Sequence, residues 1–510
     1  MPQCRAESHD SQSSSTATTQ TVAYQKRGLS QSDAPVGLRW RSNAFFICCT
    51  VGFGAFTDVF LYGLFVPVLP FMLQDRVKIP DAEMQRTISN LLAIYAGAST
   101  LSSPIAGVLA DRLSASRQLP FLLGLVLLFL STVLLAVGSS VPSLAVARFL
   151  QGASGGVVWT IGLALLIETV GQKNLGKALG TTFSFVSVAG LFSPVLGGLL
   201  YSKTGYIGVF AVGLALVCID FVMRLLMIEK KVALQYDAAL LSDPVAEAYI
   251  DSSENLTTES TPLLSEDTTD LINYRLPEPK HRITRSLPIL LVLRDPGLLT
   301  AFFIGFMQAA LLGAFDATIP LVAFSRYGFD SLKAGLLFLP LGGADFLFGP
   351  VFGWCVDRWG TKPVSVCGFA FLVPALALLR LPAEVTTHLE MGRQVTLYSC
   401  LLALNGFGLA IINSTSVVEA GSVLERYWKA NSDLFAGQAP YAQLYGINSM
   451  LWSAGLTVGP IVGGTLREKI GYGNMNAVLA SVCGMTAVLA ALFVGDKSQT
   501  REDVDGSNEH

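Results

Sequence analysis

Long apolar stretches alternate with short polar ones along most of this 510-residue chain. Twelve of them run at about 44–72, 87–110, 119–139, 143–168, 178–201, 206–228, 298–324, 333–353, 363–381, 396–424, 440–466 and 475–495. A helix needs about 20 mostly apolar residues to cross a bilayer, and each stretch is near or above that length. The pattern predicts an all-α polytopic membrane protein with twelve transmembrane helices. A long polar segment between the sixth and seventh spans divides them into two pseudo-symmetric six-helix bundles. The predicted organisation is an N-terminal tail (1–43), a first bundle (44–228), a central loop (229–297), a second bundle (298–495) and a C-terminal tail (496–510).

Composition strengthens this picture. The chain is 52% hydrophobic and 14% charged, against about 25% charged in soluble domains, and its mean hydropathy is +0.53. The first 39 residues are rich in Ser, Thr and Gln, without the apolar run of a signal peptide, and read as a disordered tail. Lys26, Arg27, Arg39, Arg41 and the basic residues of the central loop place both termini on the cytoplasmic side. The net charge of −3 adds nothing, because placement matters more than the sum. The eight cysteines form no CxxC and read as small buried apolar residues. All four histidines fall in tails or loops, which excludes a histidine metal site or an imidazole relay in the membrane. Any proton carrier there has to be a carboxylate.

Six carboxylates fall in or at the ends of spans: Asp58, Asp220, Asp316, Asp345, Glu419 and Glu425. A charge at the centre of a spanning helix costs about 2.5–3.5 kcal/mol on insertion scales, so such residues mark a function or a buried partner. Placement within the helix favours Glu419 over Glu425, which lies near the end of its span beside Arg426. Asp345 fits either a buried pair or a cavity wall. Asp220 and Arg224, one turn apart, predict a local ion pair. Arg148 and Gln151, in "VARFLQG", imply a cavity or a carboxylate partner; Arg148 serves either as a structural ion pair or as a modulator of a neighbouring acid. Tyr62, one turn from Asp58, together with Phe65 and Trp159, offers aromatic surface to an apolar or cationic ligand; helix packing accounts for the same residues.

The two halves echo each other. "GVLADRLSASR" (Gly107–Arg117) follows the second span and "GWCVDRWGTK" (Gly353–Lys362) the eighth. "SPVLGG" (Ser193–Gly198) in the fifth span matches "GPIVGG" (Gly459–Gly464) in the eleventh. Recurrence in corresponding spans indicates a duplicated unit. Asp111 can accept hydrogen bonds from a helix N-terminus while Arg112 and Arg117 hold the loop at the membrane face, a latch repeated at Asp357 and Arg358. Gly197, Gly198, Gly455, Gly459, Gly463 and Gly464, with Pro194 and Pro460, form small-residue faces that suit close packing, a hinge or a gate. No nucleophile elbow, phosphate loop or metal-ligand cluster is present, which argues against an enzyme.

Asp58–Pro70, Gly107–Arg117, Arg148 with Gln151–Gly152, and Pro194–Gly198 together resemble the major facilitator superfamily, specifically its twelve-span drug:proton antiporters. Within that group "LQGASGG", "KALGTTFSFVSVAG", "ALVCID", "LKAGLLFLP" and "YGINSMLWSAGLTVGPIVGG" are similar to the vesicular amine transporters and their fungal relatives. The resemblance implies that Asp58 is the first-span carboxylate that meets a cationic substrate. It likewise implies that Asp316 matches a seventh-span glutamate and Asp220 a sixth-span aspartate. On the family's pattern Glu425, rather than Glu419, stands for the proton-coupling aspartate. Val59, Asn413 and Ser449 replace polar or acidic family residues, which weakens the case for a monoamine and leaves that for proton coupling.

The resemblance therefore implies a secondary active transporter, a proton-coupled antiporter. It would export or sequester a drug, toxin, secondary metabolite or amine by alternating access between the halves. A facilitative uniporter or proton symporter for a small nutrient shares the same scaffold. The proton gradient would drive it without cofactor or metal. Its partners would be a small organic substrate, protons and the lipid bilayer, with no nucleic acid, and it would act as a monomer. "ESTPLL" (Glu259–Leu264) has the spacing of an acidic dileucine signal, which would direct the chain to a vacuolar or vesicular membrane instead of the plasma membrane. The "NLT" sequon at Asn255 would lie on the wrong side of the membrane for glycosylation.

Overall fold

A computed structural model describes residues 35–112, 118–170, 175–233, 274–276, 289–382, 390–431, 434–435 and 440–495. Every regular element among them is helical. The long helices are α1 (Ala44–Phe65), α2 (Asp81–Arg112), α3 (Gln118–Val137), α4 (Val141–Val170) and α5 (Leu175–Leu226) in the first half. The second half contributes α6 (Pro296–Tyr327), α7 (Phe338–Trp359), α8 (Thr361–Leu378), α9 (Met391–Ile412), α10 (Thr415–Ala430) and α11 (Tyr441–Phe493).

Local chemistry sets several ends. Asn43 caps α1 by accepting from Phe45 N, and Asp295 caps α6 by accepting from Gly297 N and Leu298 N. Such caps satisfy amides that a helix start leaves without partners. Helix α1 stops at Phe65, the chain turns through Val66–Val68 and restarts as a short helix at Leu69–Met72, with Pro70 in its first turn. The prolines thus end α1 earlier than the apolar run does. Helices α5 and α11 each contain a non-helical glycine, Gly205 (φ 65°) and Gly471 (φ 83°), so each joins two helices across a kink.

Nine helical stretches among the described residues are long and apolar enough to cross a membrane. One of them, Met391–Ala430, is interrupted: α9 ends at Ile412 and α10 begins at Thr415. The sequence pattern treats that stretch as one continuous span, because Asn413 and Ser414 carry no proline or glycine to announce a break. Large apolar side chains face outward around the bundle, among them Phe45, Leu101, Ile105, Val137, Ile207, Leu347 and Met485, each more than half exposed. A surface of this kind suits lipid, not water. Cys218, Cys367 and Cys400 join it, whereas Cys48, Cys355 and Cys483 are buried. The expectation of buried cysteines therefore fails for three of them, since a thiol is tolerated against lipid as readily as inside.

Within each half, glycines let two helices approach. A Cβ at Gly152 of α4 would stand 1.9 Å from Tyr95 O of α2, and one at Gly156 would stand 2.8 Å from Ser99 O. In the second half Gly455, Gly459 and Gly463 of α11 step along Phe306, Ala310 and Ala314 of α6. Both stacks advance four residues at a time on each helix, which keeps one face against the other.

Contacts between the halves collect at one end of the molecule, here called distal, which carries Lys78, Gly328 and the Gly205 and Gly471 kinks. Phe71 meets Phe324 edge-on at 5.5 Å. Arg467 donates to Gln85 Oε1 (2.5 Å) and Ser325 Oγ (3.3 Å), and Gln85 Nε2 donates to Ala317 O (3.2 Å). Ser331 Oγ donates to Gly198 O (3.0 Å), and Gly335 faces Pro194 O. At the opposite, proximal end, polar clasps among the described residues join elements of the same half. Arg41 donates to Leu225 O and Leu226 O, while Tyr427 donates to Asp295. Gly349 and Gly353 of α7 meet nothing within 4 Å on that side. Among the described residues, the contacts that join the halves lie at the distal end and at mid-depth.

Candidate functional site

Asp58 sits midway along α1 with 2% of its surface exposed. Its Oδ2 accepts from Tyr95 Oη of α2 (2.9 Å) and from Trp159 Nε1 of α4 (3.1 Å). Its Oδ1 is buried without a hydrogen-bond partner, and Gly155 packs against it: a Cβ there would stand 3.0 Å from that oxygen. A carboxylate oxygen buried and unmatched is costly, and a donor or a cation placed there would complete it.

One turn along α1, Tyr62 donates to Asp316 Oδ2 of α6 (2.9 Å), a hydrogen bond that crosses from one half to the other. The Tyr62 and Tyr95 rings lie 5.1 Å apart. Arg148 of α4 is fully buried against them, its guanidinium carbon 4.5 Å from the Tyr95 ring, 4.8 Å from Phe65 and 5.2 Å from Tyr62. It donates to Leu91 O (3.3 Å) and Gln151 Oε1 (2.7 Å), and its Nη2 is without a partner. The arginine thus faces three aromatic rings, a cation–π setting whose strength rises when water is excluded. Asp58, Tyr62, Phe65, Arg148, Trp159 and Asp316 form one cluster. Two carboxylates, one on each half, are each held by a tyrosine, with the arginine against both tyrosine rings.

Other sequence-derived candidates lie elsewhere. Glu419 is buried among α8, α10 and the end of α11, accepting from Thr361 Oγ1 and from Gly495 N (3.2 Å). Glu425 is half exposed and pairs with Lys429 one turn on (3.0 Å), an arrangement worth about 0.3–0.5 kcal/mol. Asp220 is fully buried with neither oxygen hydrogen-bonded, and Arg224 turns instead over the Phe121 ring (3.3 Å). The local pair expected from their spacing is not made at ion-pair distance, because the guanidinium takes the aromatic face. Asp345 is partly buried in α7, its Oδ1 without a partner.

The gating candidates divide by location. A Cβ at Gly197 would meet Leu64 O within the first half (2.3 Å), and one at Gly198 would meet Ser331 O of the second (2.2 Å). Gly459 packs on Ala310 O (2.2 Å) and Pro460 on Gly313, both inside the second half. Gly107 faces Thr160. Asp111 and Arg112 close α2, and Asp357 and Arg358 are exposed near the end of α7. Arg117 lies outside the described residues, as do Asn255 and Glu259–Leu264.

Tyr95 escaped the sequence reading, although a signal for its face exists. Gln85, Ser89, Ser99 and Ser103 recur along α2 at helical spacing and are all buried, and Ser99 Oγ lies 3.2 Å from Ser453 Oγ of the other half.

The family profile described as Major Facilitator Superfamily matches residues 51–427. The chain belongs to the major facilitator superfamily. It is 43% identical over 472 residues to a protein named MFS-type transporter ppzB from Metarhizium rileyi, covering 90% of this chain and 97% of that relative. A vesicular acetylcholine transporter of Drosophila melanogaster is 24% identical over 458 residues, covering 85% of this chain and 69% of the relative. Among solved structures, a D-xylose–proton symporter superposes with a TM-score of 0.62 over 89% of this chain and 98% of its own, at 13% identity. That likeness concerns the fold alone. As a superfamily member the chain is an integral, multi-pass transporter of small molecules.

Proposed function

We propose that this superfamily member is a proton-coupled antiporter that exports or sequesters a small organic cation. The observation that carries this reading is the two-carboxylate cluster spanning both halves, Asp58 with Tyr95 and Trp159 on one side and Asp316 with Tyr62 on the other. Burial penalises the charged form of a carboxylate, so a proton and a cationic substrate compete for such a site, and competition of this kind yields antiport. Asp58 meets the substrate against Tyr62 and Trp159, Asp316 takes the proton, and Arg148 biases both through the tyrosines. Glu419 is a second, proximal proton candidate, and its burial favours it over Glu425. The vesicular acetylcholine transporters are named for a quaternary amine, which accords with a cationic substrate.

In this reading each half holds six spans, with α5 and α11 counted as two each and the α9–α10 pair as one. The monomer has both termini in the cytoplasm, and the proximal cleft opens to that side of a plasma or vesicular membrane. Gly198 and Pro194 seal the distal side, while Gly197, Gly459 and Pro460 hold the helices of each half together. The motifs at Gly107–Arg117 and Asp357–Arg358 latch the proximal side in the opposite state. Each proton moving down 100 mV supplies about 2.3 kcal/mol, before any pH difference.

The test is uptake of labelled organic cations by proteoliposomes that contain the full chain. Uptake is expected to rise with an inside-acid gradient and to fall when an ionophore collapses it. Uptake indifferent to the gradient points to a uniporter, and uptake accelerated by the reverse gradient points to a symporter.

A further inference from the structure

We infer a second recognition element, an uncharged carboxamide pocket in the C-terminal half that binds an amide group of the substrate. It rests on the reading of the chain as a carrier of organic cations and adds a substrate class to it.

The break between α9 and α10 is where the inference begins. Asn413 is exposed at that break, deep within a stretch apolar enough to cross the membrane. A carboxamide facing lipid would be costly, and polar side chains at membrane depth face a cavity or the bundle interior. Gln308 of α6 reaches this point. It is 3% exposed, its Nε2 donates to Asn413 Oδ1 (3.0 Å), and its Oε1 has no partner. Beside them Ser416 Oγ of α10 lies 3.4 Å from Asn448 Oδ1 of α11. Gly305, one turn before Gln308, lets Ser416 come close to α6: a Cβ there would stand 2.7 Å from Ser416 Oγ.

The pairing of Gln308 with Asn413 has a useful symmetry. The oxygen and nitrogen of each amide can be exchanged by a half-turn. In one arrangement Gln308 offers a free acceptor and Asn413 a free donor; in the other those roles reverse. Either way at least one donor and one acceptor remain. An amide N–H and C=O match that couple, whereas an ester or ether supplies acceptors alone. None of Gln308, Asn413, Ser416 and Asn448 is charged, so the group they receive is neutral.

Depth relates this pocket to the cation site. Gln308 and Asp316 are eight residues apart on α6, about 12 Å along the axis and about 80° around it. Tyr62 is level with Asp316, and Asp58 lies one turn, about 6 Å, toward the proximal end. Asp58 and Gln308 therefore differ by about 6 Å in depth, on opposite halves. A molecule with a cationic nitrogen and an amide a short linker away matches that difference in depth.

The experiment compares procainamide with procaine, which share an aryl amine and a diethylaminoethyl cation and differ in an amide or ester link. Equilibrium binding of each to the detergent-solubilised full chain, without a pH gradient, gives a ratio of Kd values. Procainamide is expected to bind about five-fold more tightly, the effect of one added hydrogen bond. The ratio should fall to about one in Gln308→Met and in Asn413→Ala, the latter an exposed position where folding is little at risk. Equal Kd values in the wild type, no measurable procainamide binding, or a preference that survives both substitutions would overturn the inference. Asp58→Asn should weaken both probes alike, so failure of the cation site is read separately from failure of the amide pocket.

Discussion

Replacing Asp58 with Asn should lower uptake of an organic cation into proteoliposomes by about 100-fold, with little change in thermal stability. The asparagine keeps an oxygen to accept from Tyr95 and Trp159 and removes only the charge. Truncating one partner of a buried charge pair costs about 2–5 kcal/mol, and 100-fold corresponds to about 2.7 kcal/mol. Asp316→Asn should behave differently. Tyr62 can still donate to the remaining oxygen, so the cation binds, but its movement loses dependence on the pH gradient. Full uptake by Asp58→Asn, or undiminished gradient dependence in Asp316→Asn, would reverse the assignment of roles.

A second large effect is expected at Gly198. A side chain there would collide with Ser331 O, a backbone atom that cannot swing aside, and packed interiors absorb such insertions poorly. Gly198→Val should wedge the halves apart at the distal end. Ser89, 4% exposed beneath the distal clasp, supplies the readout. In a cysteine-depleted background, Ser89→Cys should react with a membrane-impermeant maleimide at least about ten-fold faster when Gly198 is Val, as expected once a buried thiol opens to solvent. Transport should fall as well, because one of the two alternating states is lost. Unchanged labelling would show that the distal end does not depend on this contact.

Much of the fold is legible in the apolar pattern, since bilayer thickness dictates the length of each span. Asp58 was legible for the same reason: a charge in such a stretch has to be accounted for. Its partners were harder to read. Tyr95 is one tyrosine in an apolar helix, and only its position opposite Gly152 and Gly155 makes it a donor to Asp58. The α9–α10 break was hidden because neither of its residues, Asn413 and Ser414, is a proline or glycine, and both keep near-helical torsions. Glu419 and Glu425 show where periodicity and family pattern part. They are six positions apart and cannot share a helix face. Ser416, Ala420, Val423, Leu424 and Tyr427 are all buried with Glu419, so helical spacing alone puts Glu425 outside. The family's pattern favours Glu425, which lies on the outward face of this helix.

The distal seal has a consequence for the surroundings it faces. Its polar contacts join Arg467 to Gln85 and Ser325, Gln85 to Ala317 O, and Ser331 to Gly198 O. No acid takes part in any of these, so closure is not an ion pair that added electrolyte can screen. Nor do these groups change charge between mildly acidic and neutral conditions. The seal is therefore indifferent to the ionic strength and acidity of the compartment beyond it. In the proposed mechanism, chemical sensing falls to the carboxylates at the centre, and the door itself is built to ignore the weather outside.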